Sequence, residues 1–201
     1  MEMNPCDFSL LHYSGMDLND FDPQWFKEHA SLFCGTCHNM LPQATQMEIQ
    51  IIGGIPKNNG MFMLDHALSP FVISENLYRL LPEADQFFLK HTIFSKTKTG
   101  MVKQPFFACQ AKFEPVVLKG EHPDIFMGKP VPEAERDYIC PECGRKDRRE
   151  RRPWYWYADE CPAHPLSATS FGVIIRNAIV QTIDKKWLRA VNVEKIRIKP
   201  R

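Results

Sequence analysis

The sequence has no long apolar run, so no part of it reads as a membrane-spanning helix. It has almost no net charge: 25 Lys and Arg stand against 24 Asp and Glu, a balance of +1. Bulk electrostatics therefore gives no reason to expect a dedicated nucleic-acid or membrane binder. The opening stretch, Met1 to Asp7, has neither a basic n-region nor an apolar h-region. No secretory signal is expected, and the protein is expected to be soluble and cytoplasmic. A phosphate-binding glycine loop, an H-E-x-x-H pair and a legible Ser, His and Asp arrangement are also missing. On those absences the chain reads as a non-enzyme.

What is present is enough to fold. The 201 residues are 44% apolar and include 14 Phe, 5 Tyr and 4 Trp, which excludes an intrinsically disordered chain. Sixteen Pro and 10 Gly punctuate short elements. Pro23 starts a short helix through Trp25, Phe26 and Ala30. Met47, Ile49 and Ile51 alternate with Glu48 and Gln50 as a half-buried strand, and residues 53–60 form a turn. Phe71-Val72-Ile73 is a strand, after which Ser74 caps a helix presenting Leu77, Leu80 and Leu81 before Pro82. Phe88 to Phe94 is a strand, Ser95 to Gly100 a polar turn, Phe106 to Leu118 an extended segment and 119–138 a long loop.

The C-terminal third has the same order. Val173-Ile174-Ile175 is a strand, Ala178, Ile179 and Ile183 mark a helix face, and Val193 to Ile198 closes as a strand. Each strand–helix–strand unit also comes after a CxxC pair at a similar distance. The expected architecture is a single α+β domain with pseudo-duplicated knuckle–strand–helix–strand units, in halves near 30–118 and 135–201. The alternative is chance agreement between two short units.

Seven cysteines carry the chemistry. Cys34-Gly35-Thr36-Cys37 and Cys140-Pro141-Glu142-Cys143 are two knuckles, Cys161 and His164 come after the second, and Cys6 and Cys109 stand alone. In a reducing compartment such cysteines are thiols, and clustered thiols are more often metal ligands than disulfides. A knuckle supplies two thiolates from one tight turn, and Gly144 lets the second turn close without a Cβ clash. Two knuckles make a structural zinc site from Cys34, Cys37, Cys140 and Cys143, at the expense of closing a long intervening loop. A local set of Cys140, Cys143, Cys161 and His164 also has zinc-like spacing, so both assignments stand on spacing alone. Cys37-His38 completes a C-x-x-C-H haem-attachment pattern, which the expected location disfavours. A closed four-thiolate site has no open position for water and argues against metal-assisted hydrolysis.

Two further stretches have double readings. Arg145 to Arg152 carries six cations and runs into Trp154, Tyr155, Trp156 and Tyr157. It suits a nucleic-acid backbone with stacked bases, or else cations that offset a thiolate-bound metal beside a buried strand. Asp65-His66 reads as an acid/base pair or a satisfied core histidine, and Asp17 to Trp25 as a contact for a basic partner or a solvated face.

Phe33-Cys34-Gly-Thr-Cys37, the segment Ser69 to Leu81, Ile139-Cys-Pro-Glu-Cys-Gly-Arg145 and the tail from Ser170 together resemble the double-CXXCG motif family, a bacterial group prominent as myxobacterial paralogues. The order of pieces covers most of the chain from about residue 30 onward. His38 departs from the pattern, standing where the family has Gly. The resemblance implies pairing of the two knuckles across the insertion. It extends, through the strand–Ser–helix–strand tail, to immunity proteins encoded beside polymorphic or type VI secreted toxins. It implies a non-enzymatic zinc protein that binds and neutralises a cognate toxin. A zinc-ribbon nucleic-acid binder using residues 145–157 is the competing expectation.

Overall fold

A computed structural model describes residues 7–15, 18–42, 44–64, 71–169 and 172–201. The chain begins with β1 (Phe8–Tyr13), β2 (Leu18–Asn19), α1 (Pro23–Glu28), β3 (Glu48–Ile52), β4 (Met61–Leu64) and β5 (Phe71–Ser74). It continues through α2 (Glu75–Tyr78), α3 (Ala84–Phe87), β6 (Phe88–Thr97), β7 (Gly100–Ala111), β8 (Lys119–Pro123), β9 (Ile125–Phe126) and β10 (Lys129–Pro130). It ends with β11 (Asp137–Ile139), β12 (Lys146–Arg148), β13 (Glu150–Tyr157), β14 (Leu166–Ala168), β15 (Gly172–Arg176), α4 (Asn177–Val180), β16 (Val191–Lys195) and β17 (Arg197–Lys199). Helix and strand are mixed, with strand dominant.

Short helices form where capping chemistry supplies the missing partners. Asp22 accepts from the amides of Gln24 and Trp25 at the start of α1, and Pro23 occupies the first turn, where its missing N–H is harmless. Ser74 accepts from the Leu77 amide at the start of α2. That helix is a single turn, so Leu77 and Leu81 are buried while Leu80 stays exposed, and the expected three-leucine face is not made.

Three sheets stack around two apolar clusters. The largest has the order β2-β4-β5-β7-β6-β3, the second β14-β15-β1-β16 and the third β17-β13-β8. The second sheet is the middle layer, because alternate residues of its strands face opposite ways. Leu11, Tyr13, Val173 and Ile175 join the main core with Phe62, Ile73 and Phe106. Phe8, Leu10 and Ile174 pack on the other side against Leu118, Trp156 and Ile196. One core draws on residues from Leu11 to Ile183, so the described residues form a single domain.

The two strand–helix–strand units have matching topology. Strands β5 and β6 flank β7, which runs antiparallel to both. Strands β15 and β16 likewise flank an antiparallel β1. The second unit is completed by a strand from the N-terminus, which bounds of 135–201 leave out.

Several expected boundaries move. The turn at 95–100 shrinks to Lys98-Thr99 because β6 and β7 stay paired out to Thr97 and Gly100. The stretch 119–138 contains β8, β9 and β10. The closing strand splits at buried Ile196 into β16 and β17, which belong to different sheets. Asp65-His66 lies outside the described residues. Among those described, no helix is long and apolar enough to cross a membrane.

Candidate metal centre

The first knuckle, Cys34 to Cys37, sits inside a backbone bridge between Phe33 and Met40. The second, Cys140 to Cys143, is the tip of the β11–β12 hairpin, whose last pair is Ile139 with Lys146. The two turns are built alike. The Cys34 amide donates to Asn39 O at 2.9 Å and the His38 amide to Cys34 O at 2.9 Å. In the second turn the Cys140 amide donates to Arg145 O at 2.8 Å and the Gly144 amide to Cys140 O at 2.9 Å. Both turns end in the left-handed region, at φ 56° for His38 and 72° for Gly144.

These turns meet face to face. Sγ of Cys34 lies 3.6 Å from Sγ of Cys140, and Sγ of Cys37 lies 3.5 Å from Sγ of Cys143. All four sulfurs are within 4.8 Å of one another. A tetrahedral zinc with Zn–S bonds of about 2.3 Å requires sulfur separations of about 3.8 Å, so the four sulfurs fit that geometry. Cys34 and Cys140 are buried, while Cys37 and Cys143 are partly exposed. The structure thus brings together all four cysteines of the two-knuckle assignment. Cys161 and His164 lie outside the cluster: Cys161 is disulfide-bonded, and the exposed His164 ring packs edge-on against Phe87. That disulfide also departs from the expectation of thiols throughout.

The local electrostatics treat the cysteines unequally. The amides of Cys143 and Glu142 point at Cys140 and hold its thiol down to about 6. Burial pushes Cys34 up, against the amides of Cys37 and Thr36, and pushes Cys143 up to about 12. Four sulfurs this close cannot all ionise against their mutual repulsion unless a cation sits among them.

Three side chains that the sequence did not single out brace the centre. Glu142 crosses between the knuckles, accepting from the Gly35 amide at 3.1 Å and the Thr36 hydroxyl at 2.8 Å. Asn39 donates to Cys37 Sγ at 3.3 Å. Gln110 at the end of β7 donates to Met40 O and Leu41 O, tying the first knuckle to the large sheet. Only the offset of 106 residues, which pairs Cys34 with Cys140 and Cys37 with Cys143, points to such positions in advance.

The cations of the basic run are mostly engaged. Arg148 binds Glu150 and Asp137, Arg151 binds Asp124, Arg152 binds Glu194, and Lys146 binds Glu114. Arg149 lies over the Tyr138 ring. Trp154 and Trp156 pack toward the second apolar cluster. On the opposite face Lys199 covers Tyr155 and Lys119 covers Tyr157. Of the acidic stretch Asp17 to Trp25, Asp17 lies outside the described residues, and Asp22 caps α1 and pairs with Lys96.

No family model matches the chain, and no curated protein or solved structure matches it either.

Proposed function

We propose that the protein is a non-catalytic, cytosolic binding protein whose fold is stapled by one structural zinc, and that it neutralises a cognate secreted toxin by covering the toxin's active site. The four converging sulfurs carry the zinc part of this reading. A site saturated by four thiolates holds a metal without leaving a position for substrate or water. Its role is in folding: metal-binding free energy becomes fold stability, and it joins segments over 100 residues apart in sequence. The matched knuckle turns and the matched strand–helix–strand topology support a duplicated ancestry.

The binding part rests on the family resemblance and on one surface feature. The β9–β10 hairpin exposes Ile125, Phe126 and Met127, the last at 87%. Apolar side chains on a hairpin tip suit insertion into a cleft of a protein partner. The nucleic-acid alternative has less support, because the ion pairs and ring contacts of residues 146–152 occupy the cations it needs. The free thiols of all four knuckle cysteines suit a reducing compartment, whereas the disulfide at Cys161 suits an oxidising one.

The test is an affinity capture from host lysate, with and without nuclease, followed by capture with a Phe126→Asp/Met127→Asp chain. The reading predicts one stoichiometric protein that survives nuclease and is lost with the double variant. Co-purifying nucleic acid whose removal strips every partner would contradict it.

A further inference from the structure

The surface carries an apolar knob and an apolar groove, and the fold holds them apart. The knob is the β9–β10 hairpin, where Ile125 is 50%, Phe126 65% and Met127 87% exposed. Its tip is Met127-Gly128, both in the left-handed region at φ 50° and 76°, the two-residue turn that holds a hairpin tight. Lys129 stands opposite Phe126 in the register, so the two side chains share one face. Asp124 at the hairpin base is taken by Arg151, whereas Lys129 makes no ion pair among the described residues.

The groove lies beside the first knuckle. It encloses about 460 Å³ between Phe21, Pro23 and Phe26, Ile52 at the end of β3, and His38. A volume in that range holds a drug-sized molecule, so a phenyl ring with an adjacent thioether chain fits. The walls are fixed, since Phe21 bridges to Ile51 and Asp22 caps α1. Ile52 and Pro23 are open to solvent. Asp20 on the rim is exposed and makes no ion pair among the described residues, while the nearby cation Lys96 is held by Asp22.

The hairpin does not reach the groove of its own chain. The base of the β11–β12 hairpin lies against β9–β10, because the Arg149 amide donates to Arg136 O and the Asp124 amide to Arg149 O. Its other end is the second knuckle, which meets the first, and His38 lines the groove just after that. Three residue pairs of β11–β12, about 10 Å of strand, and both knuckles therefore separate the two features. Strands β9 and β10 are two residues each and extend only about 7 Å.

We propose that the hairpin tip of one chain seats in the α1–β3 groove of a second copy, with Phe126 and Met127 against Phe21, Phe26 and Ile52, and Lys129 at Asp20. The pairing covers an apolar protrusion with an apolar recess and matches a free cation to a free carboxylate. The two contacting surfaces differ, so the association runs head to tail and leaves a free hairpin and a free groove on every pair. One hairpin tip buries less than the roughly 1,200 Å² of a stable complex, so the association is reversible and grows with concentration. The inference does not rest on the toxin reading; a partner that takes the hairpin would compete with it.

The test is sedimentation equilibrium of the full chain from micromolar to millimolar concentration. The average mass of the wild type should climb above the 23.3 kDa of one chain. Phe126→Asp/Met127→Asp and Ile52→Asp should each stay at monomer mass with the melting temperature of the wild type. Mixed together, they should form 1:1 pairs and stop there, since one chain keeps only its groove and the other only its hairpin. Pro23→Glu, at the exposed start of α1, takes the place of Ile52→Asp if that variant melts early. At the rim, Lys129→Glu should weaken association about two- to fivefold, and Lys129→Glu/Asp20→Lys should recover it. A wild type that stays monomeric throughout would overturn the proposal. Failure of the two variants to complement each other would overturn it in favour of contact between like surfaces. A charge swap that recovers nothing would overturn the placement of Lys129 at Asp20.

Discussion

The two knuckles share one backbone path and differ in the residues that come after the second cysteine. Both close through the same pair of backbone hydrogen bonds, and both place their fifth residue at positive φ. In the second turn that residue is Gly144, which adopts this conformation freely, and an added Cβ would meet nothing within 4 Å. In the first turn it is His38, which holds the same conformation against the steric preference of an L side chain. The next residue differs too: Asn39 donates to a ligand sulfur, whereas Arg145 brings a charge. The first knuckle is also tied through Gln110 to the main sheet, while the second sits at a hairpin tip. The four-cysteine cluster thus joins one turn tied to the main sheet to one at the tip of a hairpin.

The largest effect tests whether the two turns depend on each other. Removing zinc with a strong chelator should release the second knuckle and lower the melting temperature steeply, since structural zinc contributes about 10–16 kcal/mol of apparent binding free energy in small domains. Hydrogen exchange should show the β11–β12 hairpin opening first. Uniform protection before and after chelation would break the comparison.

The next effect acts on the first knuckle alone. His91 is fully buried beside Gln110, its Nδ1 accepts from the Met47 amide, and burial holds it down at about 4. The unfolded chain takes up that proton first, below about pH 6.5, so stability is full above that pH and falls as pH drops toward about 4. The loss approaches about 3 kcal/mol at roughly 1.4 kcal/mol per pKa unit. Thiolate protonation adds its own slope, so the measurement is the difference in urea midpoints between the wild type and His91→Gln across that range. Parallel curves would remove the role given to His91.

Smaller effects sharpen the contrast at the fifth position. Gly144→Ala should cost about 1–2 kcal/mol through its left-handed backbone. His38→Gly should gain up to about 1 kcal/mol by relieving the same strain. Shifts of opposite sign in chemical denaturation are the signature; a loss for His38→Gly would mean that the imidazole makes a contact that outweighs its strain. Smallest of all, Glu142→Gln should keep zinc but lower the melting temperature slightly, because a neutral amide accepts more weakly from Gly35 and Thr36.

Much of this site was legible in the sequence because knuckles are local: ligand, turn and succeeding residue lie within five positions. Pairing across the long insertion was legible only as one of two spacings, and the geometry that decides it is tertiary. The strand–Ser74–helix unit was legible because its cap and apolar run are adjacent in sequence. The place of β1 between β15 and β16 was not, since that pairing joins residues over 150 apart and leaves no periodic signal. Arg145 was legible as a cation but not as one shielded from solvent beside the cysteine cluster, because that burial depends on the tertiary meeting of the two knuckles.

The most direct measurement is zinc stoichiometry by native mass spectrometry on the wild type, Cys37→Ser, Cys143→Ser and Cys161→Ser. One zinc shared between knuckles predicts a single metal per chain, lost or strongly weakened in both knuckle variants and unchanged in Cys161→Ser. Full retention of zinc by Cys37→Ser would contradict it.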